Sequence, residues 1–488
     1  MMAMAMAMAV APVFAQSEDD FAKEAEEMMR QSEREFEKFS ADINKEFDDF
    51  RRSVNAEYAR FMAEVWKEFQ ALTAEEPPAE PEPPKPVVAD PKARPTADPI
   101  IFDGKPIAPK PIVRPEPIEP IKPLPRPTDP LRYVTLYGTQ FAFHLDDAHR
   151  PRLTSAEEKS VADLWGQLSN SYYDNLVAEC LKHRSEANLC DWAYLCLTKA
   201  LAETCCGGKN NESVVLQMYL LTQSGYQMRI GNAEGHLSLL FGSEERIYCY
   251  KYFLLDGHKY YIYDRTLEGK SMRIFDHAFP KEKPVSLALG QPKFKEVTTA
   301  PRTLKSKRFP DVQATVCSNR NLLDFYNDYP LSSRWDCYAA ASASPTLKED
   351  LYPVLRKAIE GKNQADAANI LINFVQTAYE YATDDQQFGY ERPLFPDETA
   401  FYPYSDCEDR SIFYAMLVRE LMGLDVVLLH YPGHLATAVR FTDDVTGDYL
   451  TLDGIKYIVC DPTYIGANIG RCMPDFKKVS PEVVTIAK

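Results

Sequence analysis

Between Phe21 and Phe69 the apolar positions recur at spacings of three and four, the pattern of a helix with one buried stripe. Three rows carry it: Phe36, Phe47, Tyr58 and Phe69; Phe39, Phe50 and Phe61; Ile43, Val54 and Val65. Each row steps by eleven residues. Eleven residues over three turns is about 3.67 per turn, so the stripe runs nearly straight or winds gently right-handed. The other faces are dense in Glu, Lys, Asp and Arg and read as solvated. The spacing predicts one long amphipathic helix within 16–74. Its stripe has to be covered by a second copy, a protein partner or the chain's own globular part. The mixed sign of the polar face argues against a membrane surface.

From 75 to 130 this period gives way to proline in units such as Pro115-Glu116-Pro117-Ile118-Glu119-Pro120-Ile121. Proline at this density removes backbone donors and favours polyproline II geometry. Fully extended, the stretch reaches on the order of 170 Å at about 3.1 Å per residue, which predicts a semi-rigid linker whose Ile-rich end lies along the next domain. A docking ligand for an aromatic groove is the lesser alternative.

Two units then repeat one order of elements, helices first and antiparallel strands afterwards, an α+β arrangement. The first, 131–301, predicts a strand at Tyr133–Tyr137, a helix at Asn211–Gly225 and strands at His236–Leu240, Ile247–Phe253 and Lys259–Tyr263. The second, 302–488, predicts helices at Leu351–Glu360, Gln364–Ala382 and Cys407–Met422, with a Gly-, Pro- and aromatic-rich loop before the last. Strands are expected around Val426–His430, Ala436–Phe441, Tyr449–Leu452 and Lys456–Cys460. The text itself repeats. Gly433-His434-Leu435 matches Gly235-His236-Leu237, and Leu452-Asp453-Gly454 through Asp461 matches Leu255-Asp256-Gly257 through Asp264, which predicts a duplicated domain.

The 488 residues suggest two or three domains. A net charge of −17, without a Lys/Arg cluster, argues against a nucleic-acid partner. Met1–Ala15 is a short apolar run with small residues at its end, read as a signal peptide, so that a periplasmic or secreted protein is expected. No other run approaches the roughly 20 apolar residues of a membrane span. Eleven cysteines are compatible with one free thiol and up to five bridges, their pairing open. No metal-ligand spacing is read and no cofactor is expected.

The candidate chemistry lies in the second unit. Tyr402-Pro403-Tyr404-Ser405-Asp406 is a turn with an N-cap candidate, and it puts Cys407 at or near the first position of a helix, where unpaired backbone donors favour a thiolate. The acids around it oppose that, so an imidazole must contribute. His434 opens a strand after a Tyr-Pro-Gly turn and competes with His430, which reads as a core histidine. Asp461 follows a strand and precedes Pro462. In the order Cys407, His434, Asp461, the carboxylate orients the imidazole and the imidazole takes the thiol proton, the layout of amide acyl transfer through a thioester. Gln386, Gln387 and Tyr404 are candidate oxyanion or substrate contacts, with a solvated loop as the ordinary alternative.

Asp-Cys-Glu-Asp opening a helix, Gly-His on a strand and a strand ending Cys460-Asp461-Pro462-Thr463 resemble the transglutaminase-like superfamily, a branch of the papain-like cysteine fold. The resemblance covers about 351–474. It implies a nucleophile at Cys407, a base at His434 and an orienting acid at Asp461, in a peptidase, amidase, acyltransferase or non-catalytic module. The chain departs from the pattern at Leu435, where an aromatic residue is usual. The first unit resembles the same fold more weakly. Lys209 stands where Cys407 does, leaving His236 and Asp264 as a degenerate site. The expectation is two tandem transglutaminase-like domains, the second acting on peptide or glutamine amides with hydrolysis favoured over cross-linking. The alternative is a non-catalytic peptide-binding or scaffold protein.

Overall fold

The structure, a computed structural model, describes residues 18–77, 87–90, 96–109, 113–122, 129–266 and 271–486; the leader expected at 1–15 lies outside them. The long helix runs Glu18–Met62 and stops short of the expected Phe69. The Trp66 indole N–H closes its end on the Met62 carbonyl at 2.9 Å. Lys67–Gln70 then forms an edge strand against Ser271–Phe275, so Phe69 sits opposite Met272 in a ladder instead of on the helical stripe. A sheet edge with unpaired donors and acceptors outcompetes one more turn of helix.

The stripe divides accordingly. Toward the C-terminus Tyr58 and Met62 are buried against the first lobe. Buried Asn55 trades amide hydrogen bonds with Gln223 at 2.9 and 3.0 Å and accepts from the Trp165 indole at 2.9 Å. Toward the N-terminus Met28, Met29, Phe36, Phe39 and Phe50 stay exposed.

The first lobe carries its four main helices, Glu158–Leu168, Ser171–Glu186, Asp191–Cys206 and Asn211–Gln223, ahead of its sheet. Beyond the edge strand Lys67–Gln70, that sheet runs Ser271–Phe275, Met228–Ala233, His236–Gly242, His258–Ile262, Tyr252–Leu255. The second lobe's sheet runs Glu482–Thr485, Asp425–Tyr431, His434–Arg440, Ile455–Cys460, Tyr449–Leu452. The two orders are the same, and the pairs are antiparallel. The register agrees as well: Leu240 faces Ile262 as Ala438 faces Val459. In both lobes an Asp-Gly pair with positive φ, 49° and 81° at Asp256-Gly257 and 49° and 78° at Asp453-Gly454, makes the tight hairpin.

Some expected elements differ. The strand expected at Ile247–Phe253 begins only at Tyr252, because Cys249 takes a left-handed conformation (φ 63°) that breaks the extended run. The expected loop before Cys407 contains the short helices Asp384–Phe388 and Pro396–Phe401. All eleven cysteines are unbridged thiols. One contiguous set of buried side chains runs through both lobes, from Tyr58 to Val484.

The proline-rich stretch is not an extended spacer in its described parts. Ala89 N–H donates to the Ile465 carbonyl at 2.9 Å, Ile100 N–H to Tyr449 at 2.8 Å and Ile107 N–H to Val483 at 2.7 Å, so the chain touches both edges of the second sheet. Between those edges Ile100 and Phe102 pack on the sheet's outer apolar face. Returning to the first lobe, Ile118 is buried, and Arg51 donates to the Pro120 carbonyl at 2.7 Å. A strand edge offers bonding groups that a solvated polyproline helix otherwise leaves to water, which turns the linker into a strap.

Candidate active site

Cys407 is the first residue of the helix Cys407–Leu417, and the Asp409 carboxylate accepts the Asp406 N–H at 3.4 Å to close the capping box. The helix lies on the strand that begins with His434. Ser411 Oγ donates to the Leu435 carbonyl at 2.7 Å, a contact one helical turn from the thiol and one residue from the imidazole. His434 Nε2 meets Asp461 Oδ2 at 2.9 Å. Asp461 Oδ1 accepts the N–H groups of Thr463 at 2.9 Å and Tyr464 at 3.1 Å, so the carboxylate is fixed on both oxygens. With Nε2 engaged, Nδ1 is the nitrogen left to take up a proton. Cys407, His434 and Asp461 are 2, 2 and 3% exposed.

Gln376 carries no signal in the sequence. Its amide donates to the carbonyls of Tyr464 at 2.9 Å and Ala467 at 3.0 Å, and its oxygen accepts the Gly466 N–H at 3.2 Å. A helix side chain thereby holds the turn that carries Asp461. Spacing alone could not single it out, since a buried glutamine on an apolar face has no local signature.

The three candidate contacts are not gathered here. Gln386 and Tyr404 are exposed, Gln387 is half-buried, and none makes a side-chain hydrogen bond among the described residues. Strand alternation explains Tyr404: its neighbour Ser405 turns inward to accept from Arg410 Nε at 3.0 Å, so Tyr404 turns out. The residues that do face the helix start are Tyr381, Asp384 and Glu391. The Tyr381 hydroxyl is buried without a hydrogen-bond partner among the described residues. Burial first, then the charges of Cys407, Asp406 and Glu408, push its phenol well above the ordinary range.

Carboxylate oxygens of Asp384, Asp406 and Asp409 lie within 4.8 Å of one another, as do those of Asp384, Glu391 and Glu408. Such oxygen sets are of the kind that could hold a hard divalent cation. As protein groups alone, burial and then mutual repulsion push Asp384, Asp406 and Glu408 up. Protonated Glu408 does not oppose a thiolate; its Oε2 lies 3.0 Å from Cys407 Sγ. Burial also lifts neighbouring Asp397 to about 6 and Glu398 to about 7.

These shifts fix a sign. A carboxyl whose folded pKa is raised binds more protons folded than unfolded, so its contribution is complete below the unfolded value and is lost as pH rises through the folded one. The melting temperature, followed in EDTA to exclude cations, is expected to fall between about pH 5 and about pH 8, and Asp384→Asn should flatten the fall. A melting temperature that climbs over this range would contradict the buried acids.

The first lobe differs at the matching place. Lys209 Nζ pairs with Asp264 Oδ2 at 2.7 Å, His236 is exposed, and a cavity of about 650 Å³ opens there, lined among others by Lys209, Leu237, Tyr250, Tyr263 and Asp264. An ammonium thus takes the carboxylate that the imidazole holds in the second lobe.

No family model, no curated protein and no solved structure matches the chain. No helix among the described residues is long and apolar enough to cross a membrane.

Proposed function

We propose that the second lobe is a thiol-dependent acyl-transfer enzyme of transglutaminase-like kind, acting on peptide or glutamine amides, and that the first lobe is its nucleophile-free duplicate. The observation that carries this reading is the His434–Asp461 pair at 2.9 Å, on a strand against which the helix opened by Cys407 is seated. In the proposed cycle His434 Nδ1 takes the Cys407 proton and the sulfur attacks the amide carbon. The imidazolium then protonates the leaving amine, and water or an amine resolves the thioester. Hydrolysis is favoured over cross-linking, since water is the more abundant acceptor. The shared strand order supports the duplication. Export to the periplasm or medium is proposed from Met1–Ala15 alone, and self-association from the exposed stripe Met28–Phe50.

The test is iodoacetamide labelling with peptide mapping. Of the eleven cysteines, Cys407 is expected to be the one whose labelling near neutral pH collapses in His434→Ala. Labelling of Cys407 that ignores His434 would instead favour the scaffold reading, supported so far by the persistence of His236 and Asp264 without a nucleophile.

Tyr381 gives a second handle. Its hydroxyl, without a hydrogen-bond partner among the described residues, is placed beside the thiol to donate to a developing oxyanion, and losing one such donor costs about 10²–10³-fold in turnover. Tyr381→Phe should lower acylation on that scale while leaving the melting temperature unchanged or higher, because an unsatisfied buried hydroxyl is removed. A destabilised Phe variant with full activity would assign the hydroxyl a structural part.

A further inference from the structure

If the second lobe is an acyl-transfer enzyme, its three reacting groups are shut away at 2, 2 and 3% exposure, and a peptide amide cannot reach them. The cover over the imidazole is Phe476, whose ring stacks on His434 at 4.7 Å between centroids and 9° between planes. Phe476 belongs to a single turn of 3₁₀ helix, Pro474–Phe476, too short to hold itself in place. What holds it comes from the other end of the chain.

Four contacts from the strap converge on the segment around Phe476. Ala89 and Val87 pack with Tyr464, Ala467, Met473 and Phe476 in one small apolar cluster. Arg471 donates to the Asp90 carbonyl at 3.1 Å. Lys477 Nζ donates to Thr96 Oγ1 at 2.6 Å, and both bind Asp448. Ser480 Oγ donates to Asp103 Oδ1 at 2.6 Å. The strap therefore holds the segment that carries Phe476, and Phe476 in turn stacks on His434. The hold is shallow: among the described residues of the strap, the apolar side chains fully buried on the second lobe are Ala89 and Ile100, while Val88 is 73% and Ile107 48% exposed. Burying one Ile side chain contributes only about 1.5–3 kcal/mol, within reach of a competing ligand or of a cut in the strap.

We propose that the proline-rich strap is an autoinhibitory latch: it pins the 471–480 segment over His434, and the thiol site stays latent until the strap leaves the second lobe. This rests on the acyl-transfer reading for its purpose but not for its geometry, and the experiment separates the two. Diethylpyrocarbonate modification of His434 and iodoacetamide modification of Cys407 are mapped by mass spectrometry in the full chain, in Ala89→Arg/Ile100→Asp and in Phe476→Ala. Both variants are expected to modify His434 at least about tenfold faster than the parent, with a cooperative melt retained. If the double variant does not fold, Thr96→Val/Asp103→Ala, which removes only polar clasps, is read in its place. Equal His434 reactivity in parent and strap variants overturns the latch, as does acceleration in Phe476→Ala alone. If His434 opens as expected but Cys407 gains no His434-dependent labelling, the latch stands as a cover and the acyl-transfer reading falls.

Discussion

Asp461→Asn is expected to leave the fold intact and to remove the reactivity of Cys407. The asparagine oxygen can accept the Thr463 and Tyr464 N–H groups that Asp461 Oδ1 accepts now, so the turn survives. The amide NH₂ then faces His434 Nε2, where Oδ2 now stands at 2.9 Å. A donor in that position forces Nε2 to offer its lone pair and moves the ring proton to Nδ1, the nitrogen needed as base. Turnover of the proposed enzyme, read in the strap-released Ala89→Arg/Ile100→Asp background, should fall on the order of 10⁴-fold, the cost of the wrong tautomer in a Ser-His-Asp triad. Cys407 alkylation at about pH 6 should fall about 10- to 100-fold, because thiolate population and nucleophilicity change in opposite directions. Asp461→Ala, by contrast, also strands two buried N–H groups and should cost about 1–3 kcal/mol of stability for each. An Asn variant as reactive as the parent would mean that the imidazole does not serve the thiol.

Local pattern carried the part of this molecule that was legible in its sequence. Period-two text and turn residues marked most strands of the second lobe, and the repeated His-Leu and Leu-Asp-Gly segments fall at equivalent registers of two sheets with one strand order. Cys407 at a helix start was readable because the turn before it and the apolar spacing after it are both local. The Ile-rich end of the strap lies on the first lobe as its text suggests, but its docking on the second lobe was not legible: a polyproline segment has no face of its own, and that docking is decided by bare sheet edges hundreds of residues away. The acids beside Cys407 show the same limit. Glu408 and Asp409 were visible as neighbours, but Asp384 and Glu391 arrive from a stretch that reads as solvated loop, and only the fold turns them inward. Phe476 has no local signature. Its stacking on His434 depends on three chain segments meeting.

Arg410 joins these segments, and Arg410→Leu is expected to be the most destabilising single change near the site. The side chain is 1% exposed. Its Nε donates to Ser405 Oγ at 3.0 Å, and its two terminal nitrogens to the carbonyls of Gln376 at 3.4 Å and Tyr379 at 3.3 Å. One guanidinium thus ties the strand entering the Cys407 helix to the end of the helix that carries Gln376, and its charge faces Asp406 and Asp409. Breaking a buried ionic site by removing one partner costs about 3–5 kcal/mol, because the groups left behind stay desolvated. The pH dependence identifies the mechanism. At about pH 5 the neighbouring acids with raised folded values are protonated and need little counter-charge; at about pH 8 their ionisation in the folded state is opposed more strongly once the guanidinium is gone. The difference in unfolding free energy between parent and variant should therefore widen as pH rises, read from urea midpoints at the two values. Arg410→Lys restores the charge but not the fork, and should recover the pH dependence without recovering the full stability. A loss independent of pH would reduce Arg410 to a hydrogen-bonding strut and leave the acids beside Cys407 to be balanced by protons or a cation alone.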